Sequence, residues 1–208
     1  MQDIVAGIAF VLGPALLAFG FAVHPGLLHP HVITDPDEMI ARARGNRLLD
    51  VAHVAVLAAC PLLIAAAIHY AAELTGSSGE SGGLIGAGLA VIGAVGLAAD
   101  KGAFCLTMSA FNTLPEREFA QLTPGLRALF EKAGFMWLLW AVLLLPLGFA
   151  VLAIALLASG ALPAWQGAAL LVGSLLLMVP DGLELVSLTG CAVLAIAMVP
   201  TGIQLLGG

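Results

Sequence analysis

Charge is what this sequence has least of. Only 10% of its 208 residues are Asp, Glu, Lys or Arg, and seven basic against thirteen acidic residues leave a net charge of -6. That removes the basic stripe on which nucleic-acid binding depends, so no nucleic-acid partner is expected. Cysteine is also sparse. Cys60, Cys105 and Cys191 each stand alone in an apolar segment, without a C-x-x-C pair or metal-ligand spacing, and read as buried packing thiols. No metal and no cofactor is expected.

Familiar catalytic patterns are equally missing. There is no G-x-S-x-G, H-E-x-x-H or P-loop, no G-x-G-x-x-G in a strand-helix context, and no lysine in the last apolar runs to carry a retinal-like Schiff base. Arginine ladders and selectivity-filter motifs are absent too. Met1-Gln2-Asp3 supply no basic n-region, so the first apolar run is expected to stay as a helix.

Apolar residues, by contrast, are in excess: 61% of the chain, with a mean hydropathy of +1.09. A soluble fold is excluded by that composition. A bilayer span needs ~20 apolar residues, and the runs 4–23, 47–72, 83–107, 133–158, 163–179 and 183–206 supply six candidates. The fold class expected is all-α: a polytopic integral membrane helix bundle, one domain over 1–208, with about six transmembrane helices and short cytosolic interfacial helices. The stretch from Pro163 onward would reach ~65 Å as one helix, about twice the hydrocarbon core. It is expected to break at Pro180-Asp181-Gly182, with Asp181 capping the last helix. Pro14, Pro61, Pro146 and Pro200 interrupt other spans as tolerated kinks. The third run carries Gly82, Gly83, Gly86, Gly88, Gly93 and Gly96, a small-residue pattern that lets backbones approach closely, and is expected to be the central helix.

Lys and Arg set the orientation. Arg42, Arg44 and Arg47 lie between runs one and two, and Arg117, Arg127 and Lys132 between runs three and four, whereas the other short connections carry none. These loops are expected on the cytosolic side of an inner (plasma) membrane, with the N-terminus outside. Trp137 and Trp140 then mark the inner interface; Trp165, and His69 with Tyr70, mark the outer one. Thr34-Asp35-Pro36-Asp37-Glu38 opens a short helix that ends near Gly45. Leu114-Pro115-Glu116 opens a second, and Thr123-Pro124 a third.

The polar residues inside the spans are few, and ionisable groups at membrane depth are costly and tend to mark functional sites. Asn46, Asp50 and His53 are spaced i, i+4, i+7 and share one helix face. Asp100 reaches about the same depth on the third span. Asp100 shares a stripe with Thr107, while Lys101 shares one with Cys105, Met108 and Asn112; Lys101 is expected to snorkel or to pair with an acid of another helix. Asp181, Glu184, Ser187 and Cys191 line the mouth of the last span, and His24 ends the first. The candidate catalytic residues are His53, Asp100, Asp50 and Glu184; Asn46, Lys101, His24, Asp181 and Ser187 are candidate substrate-binding residues.

Carboxylates and imidazoles of offset pKa in a half-dry pocket suit proton transfer. The reading is an integral membrane enzyme of cyclisation or isomerisation type, acting on a lipid or isoprenoid-like substrate in a cytosol-facing cavity. Its partners are membrane lipids, a hydrophobic or amphipathic small molecule and, as an open option, a second copy of the chain. Two alternatives stand beside it: a proton-coupled transporter or accessory membrane subunit, and a haem-binding electron carrier using His24 and His53. His24, His29 and His31 with Asp35, Asp37 and Glu38 match no closed metal-site spacing.

Overall fold

Nine α-helices and one π-turn make up the regular structure of the described residues, none of which is in a strand. The computed structural model describes residues 2–24, 27–28, 31–131, 140–180 and 182–208. We number the helices α1 (Gln2–Ala22), α2 (Pro36–Ala43), α3 (Arg47–Glu73), α4 (Glu80–Ala99), α5 (Leu106–Phe111), α6 (Glu116–Glu131), α7 (Leu144–Ser159), α8 (Ala164–Leu176) and α9 (Glu184–Gly207); the π-turn Asp100–Cys105 joins α4 to α5. Five helical rods are long and apolar enough to cross a membrane: those based on α1, α3, α4 through α5, α7 and α9.

The expected span at 163–179 is shorter than its apolar run. α8 has 13 residues, ~20 Å of helix, less than a ~30 Å hydrocarbon core. It stops at Leu176, ahead of the expected break, because Pro180 disfavours helix at Val179 and offers no N–H to continue the ladder. The N-cap position of α9 is Leu183, and among the described residues, 177–180 and 182 are not in regular helix. Asp181, the expected cap, lies outside the described residues, as do His29, Lys132 and Trp137.

Six helices close into a ring. α1 packs on α3, α3 on α4, α4 on α7, α7 on α8, α8 on α9, and α9 returns to α1. Glycines set the close contacts. A methyl group at Gly7 would meet Leu206 and Gly202, one at Gly20 would meet Val56 and Ala52, and one at Gly148 would run into the backbone of Ala90 and Gly86. α4 is therefore one member of the ring rather than its central helix. Gly82, Gly86 and Gly93 lie against α7 and Gly83 against Leu74 at the end of α3, while Leu84, Ile85, Ile92 and Val95 face outward. Fully buried Phe10, Leu63, Tyr70, Leu152, Leu156 and Met198 fill the interior.

The expected proline kinks have one clear counterpart. Helices run on through Pro14, Pro61 and Pro200, but the rod starting at Trp140 has a turn at Leu143 before α7. Pro146 has no N–H for the carbonyl one turn back, and its ring crowds that carbonyl. α6 also runs unbroken through Pro124, so the two short helices expected there are one. Phe119 and Leu126 on its apolar face bury against Ile40 and Met108, and that packing outweighs the local proline signal.

α2 begins where the sequence indicates. The Asp35 carboxylate accepts from Asp37 N at 2.9 Å, Pro36 occupies the first turn, and Gly45, with φ +71°, follows the helix. Arg44 fastens α2 to the end of α5: its guanidinium donates to the carbonyls of Phe111 and Leu114 and lies 3.9 Å from the centre of the Phe119 ring. Arg127 of α6 pairs with Asp37, whose carboxylate holds that guanidinium's pKa above its ordinary value. A cleft of about 390 Å³ separates α2 from α6.

Candidate functional site

The antiparallel ring brings the end of α1, the starts of α3 and α9, and the π-turn to one level. His24 follows α1, and its Nδ1 lies 3.1 Å from Oε1 of Glu184, the first residue of α9. Glu184 is 5% exposed, and its placement at a helix N-terminus lets the unsatisfied N–H groups there offset part of its charge. The other oxygen, Oε2, is buried without a hydrogen-bond partner among the described residues.

α3 contributes the facing groups. Asn46 caps it, accepting from Leu49 N at 3.2 Å. Asp50, one turn on, accepts a short hydrogen bond from the Ser109 hydroxyl. His53 is one turn deeper, and its buried Nδ1 has no partner among the described residues. Lys101 and His24 are near enough to act on His53 electrostatically.

The π-turn supplies the third part. Leu106 N bonds back to Lys101 O, five residues away, so the turn holds an extra residue compared with α-helix. In this wide turn Lys101 pairs with its own neighbour, Nζ to Asp100 Oδ2 at 2.9 Å. Asp100 is 6% exposed.

The extra residue breaks the expected stripes. Thr107 does not continue the face of Asp100; it is exposed, and its hydroxyl donates to the Ala103 carbonyl of its own helix. Ser109 turns toward Asp50 instead, and Asn112 Nδ2 donates to Ala43 O at 2.6 Å. Neither residue was assigned a role from sequence. Ser109 is visible there as a hydroxyl in an apolar helix, but a uniform 3.6-residue register points it elsewhere.

Of the residues expected to form the site, His24 and Glu184 are bonded, Asp100 and Lys101 are bonded, and His53 lies between the two pairs electrostatically. Asp50 joins through Ser109. Ser187 is buried three residues beyond Glu184 on α9, whereas Asn46 is occupied as a helix cap.

The opposite end of the ring differs. Tyr70 is not an interfacial anchor: it is 1% exposed and meets the Phe10 ring edge-on, at 4.7 Å between centroids. α1 covers it there, and its hydroxyl approaches Thr201 without closing a hydrogen bond. Gln166 of α8 donates to Ala197 O and to the Thr201 hydroxyl, both at 2.6 Å. His69 sits 3.7 Å from Glu73. In the loop before α2, Arg42 donates to His31 Nδ1, leaving Nε2 to donate to Glu38. No group of three His, Cys, Asp or Glu forms a metal-binding cluster among the described residues.

No protein-family model, curated protein or solved structure matches this chain. What the site can do is therefore argued from its own atoms. It holds two ion pairs, an imidazole and a serine-bonded carboxylate, with unused hydrogen-bonding capacity on Glu184 and His53. Proton exchange with a bound molecule is the chemistry such a set supports. Haem ligation fits poorly, because α1 touches α3 at Gly20 against Val56, one turn from His24 and His53, with no width there for a macrocycle.

Proposed function

We propose that this protein is a membrane-embedded enzyme that moves protons on a lipid or isoprenoid-like amphiphile, in a reaction of isomerisation or cyclisation type. The observation that carries the reading is that Glu184 Oε2 and His53 Nδ1, at the same end of the ring, are both buried without a hydrogen-bond partner among the described residues. A purely structural polar network satisfies its members, because an unmade buried hydrogen bond costs ~1–3 kcal/mol. In this reading Glu184, steadied by His24, and His53 exchange the proton, while the Asp100–Lys101 pair fixes the local field.

The site is one-sided. Its ionisable groups occupy one end of the ring, and behind them the interior is filled by Leu63, Leu152, Leu156 and Met198. An amphiphile held by its polar end needs entry from one side only. In the same proposal α8 and the non-helical stretch after it complete a sixth crossing. The loops bearing Arg42, Arg44, Arg117 and Arg127 face the cytosol of an inner membrane.

Incubating the purified protein with the lipid extract of its expression host, and following the extract by mass spectrometry, tests the proposal. Wild type is expected to convert one lipid species. Glu184→Gln and His53→Gln are expected to lower conversion by ~10²-fold or more, the range of a lost general acid or base, with unchanged helical content. Unaltered turnover in both variants would defeat the assignment. A transporter reading is favoured by one observation, the interruption between α8 and α9 beside Glu184, since transporters place binding sites at broken helices. Uptake into liposomes without chemical change would select it.

A further inference from the structure

We infer that the molecule accepted at this site carries a protonated amine at its polar end: a long-chain ammonium amphiphile, not a phosphorylated or carboxylated one. The inference rests on the acid–base reading above and adds the class of substrate. Two independent observations support it, one of charge and one of hydrogen-bond direction.

The first is a surplus of acid. Asp50, Asp100 and Glu184 meet at this level, and Lys101 is the permanent cation among them, already paired with Asp100 at 2.9 Å. Arg47 stands at the start of α3 with its side chain exposed. His24 can balance Glu184 by taking a proton, which leaves Asp50 bonded to a neutral hydroxyl. A phosphate or carboxylate headgroup would add negative charge to this surplus where water does not screen it. An ammonium group would offset it.

The second is the character of the unpartnered atoms. Glu184 is 5% exposed, and its Oε2, as a carboxylate oxygen, can only accept. His53 Nδ1 accepts when the ring proton is on Nε2. His24, one residue past Val23 at the same end of the ring, holds the other Glu184 oxygen at 3.1 Å. An ammonium has three donors and no acceptor, which complements the buried Glu184 oxygen and, in that tautomer, the His53 nitrogen. Phosphate oxygens present acceptors to acceptors. An alcohol offers a single donor and no charge.

Native mass spectrometry of the full chain in detergent, titrated separately with dodecylamine, dodecanol and dodecyl phosphate, tests the inference. Dodecylamine is expected to bind one to one and at least about tenfold more tightly than either competitor. Glu184→Gln is expected to weaken amine binding about tenfold, as loss of a charge-assisted hydrogen bond would, while Glu80→Gln, at the start of α4 at the other end of the ring, leaves it unchanged. Equal or tighter binding of dodecyl phosphate, no amine binding, or amine affinity indifferent to Glu184→Gln would each overturn the inference. If Glu184→Gln does not fold, the three-ligand comparison on wild type still decides. Conversion of a phosphorylated lipid would sink the amine and leave the proton-transfer reading standing; a bound amine without turnover of any lipid would do the reverse.

Discussion

Glycine 148 shows how much a single missing side chain decides in this molecule. A methyl group there has no space between the backbones of Ala90 and Gly86, whereas one at Gly88 meets nothing within 4 Å. Gly148→Ala is expected to cost ~1–3 kcal/mol through overpacking. Gly88→Ala should be neutral or slightly favourable, since Ala outranks Gly in a helix interior. Thermal unfolding of the two variants in one detergent checks the contrast, and equal midpoints would refute the α4–α7 contact. Ser109 is the residue-scale test of the site. Ser109→Ala leaves the Asp50 carboxylate without its donor and is expected to lower stability by ~0.5–1.5 kcal/mol. Its effect on conversion should be smaller than that of Glu184→Gln, because Ser109 acts through Asp50.

At the scale of elements, the π-turn is the feature that sequence periodicity does not disclose. Asp50, Glu184, His53 and Asp100 stand out as polar interruptions of apolar runs, so the candidate groups were legible from residue type alone. Their partners were not. The pairing of Ser109 with Asp50 follows from one extra residue in a turn, which rotates everything after it. Deleting Gly102, a residue of that turn, should restore α-helical register and swing Ser109 and Asn112 off their partners. The deletion variant is expected to keep its helical content by circular dichroism and to lose conversion. Retained activity would show that the turn does not position the site. α8 teaches a related lesson. Its apolar run continues past Leu176, but Pro180 ends the helix from a distance, through the conformation it denies the residues before it.

At the scale of the whole molecule, the ring arrangement makes the relative position of loops a sharp prediction. The three natural cysteines are buried, so an added one reports cleanly. Ser78→Cys, between α3 and α4, and Thr113→Cys, between α5 and α6, are both at exposed positions. An impermeant maleimide applied to intact cells is expected to label Ser78→Cys, and to reach Thr113→Cys only after permeabilisation. Labelling of both from one side would invalidate the proposed crossing pattern.

Composition alone pointed to long apolar helices, five of which are long enough to cross a membrane, because a chain this apolar and this poor in charge can satisfy its backbone in lipid only by helices or a closed barrel, and its long unbroken runs suit helices. The caps of α2 and α3 were also written locally, since Asp35 and Asn46 bond backbone groups within three residues. Tertiary structure decided the rest. That α4 joins a ring instead of standing at its centre, that Tyr70 is buried beneath α1, and that His24 meets Glu184 across 160 positions of sequence all depend on which helix lies beside which. Helix neighbours in a bilayer are chosen by close packing of small residues and by unmet polar groups. Those are properties of paired surfaces, and a single run of residues does not contain its partner.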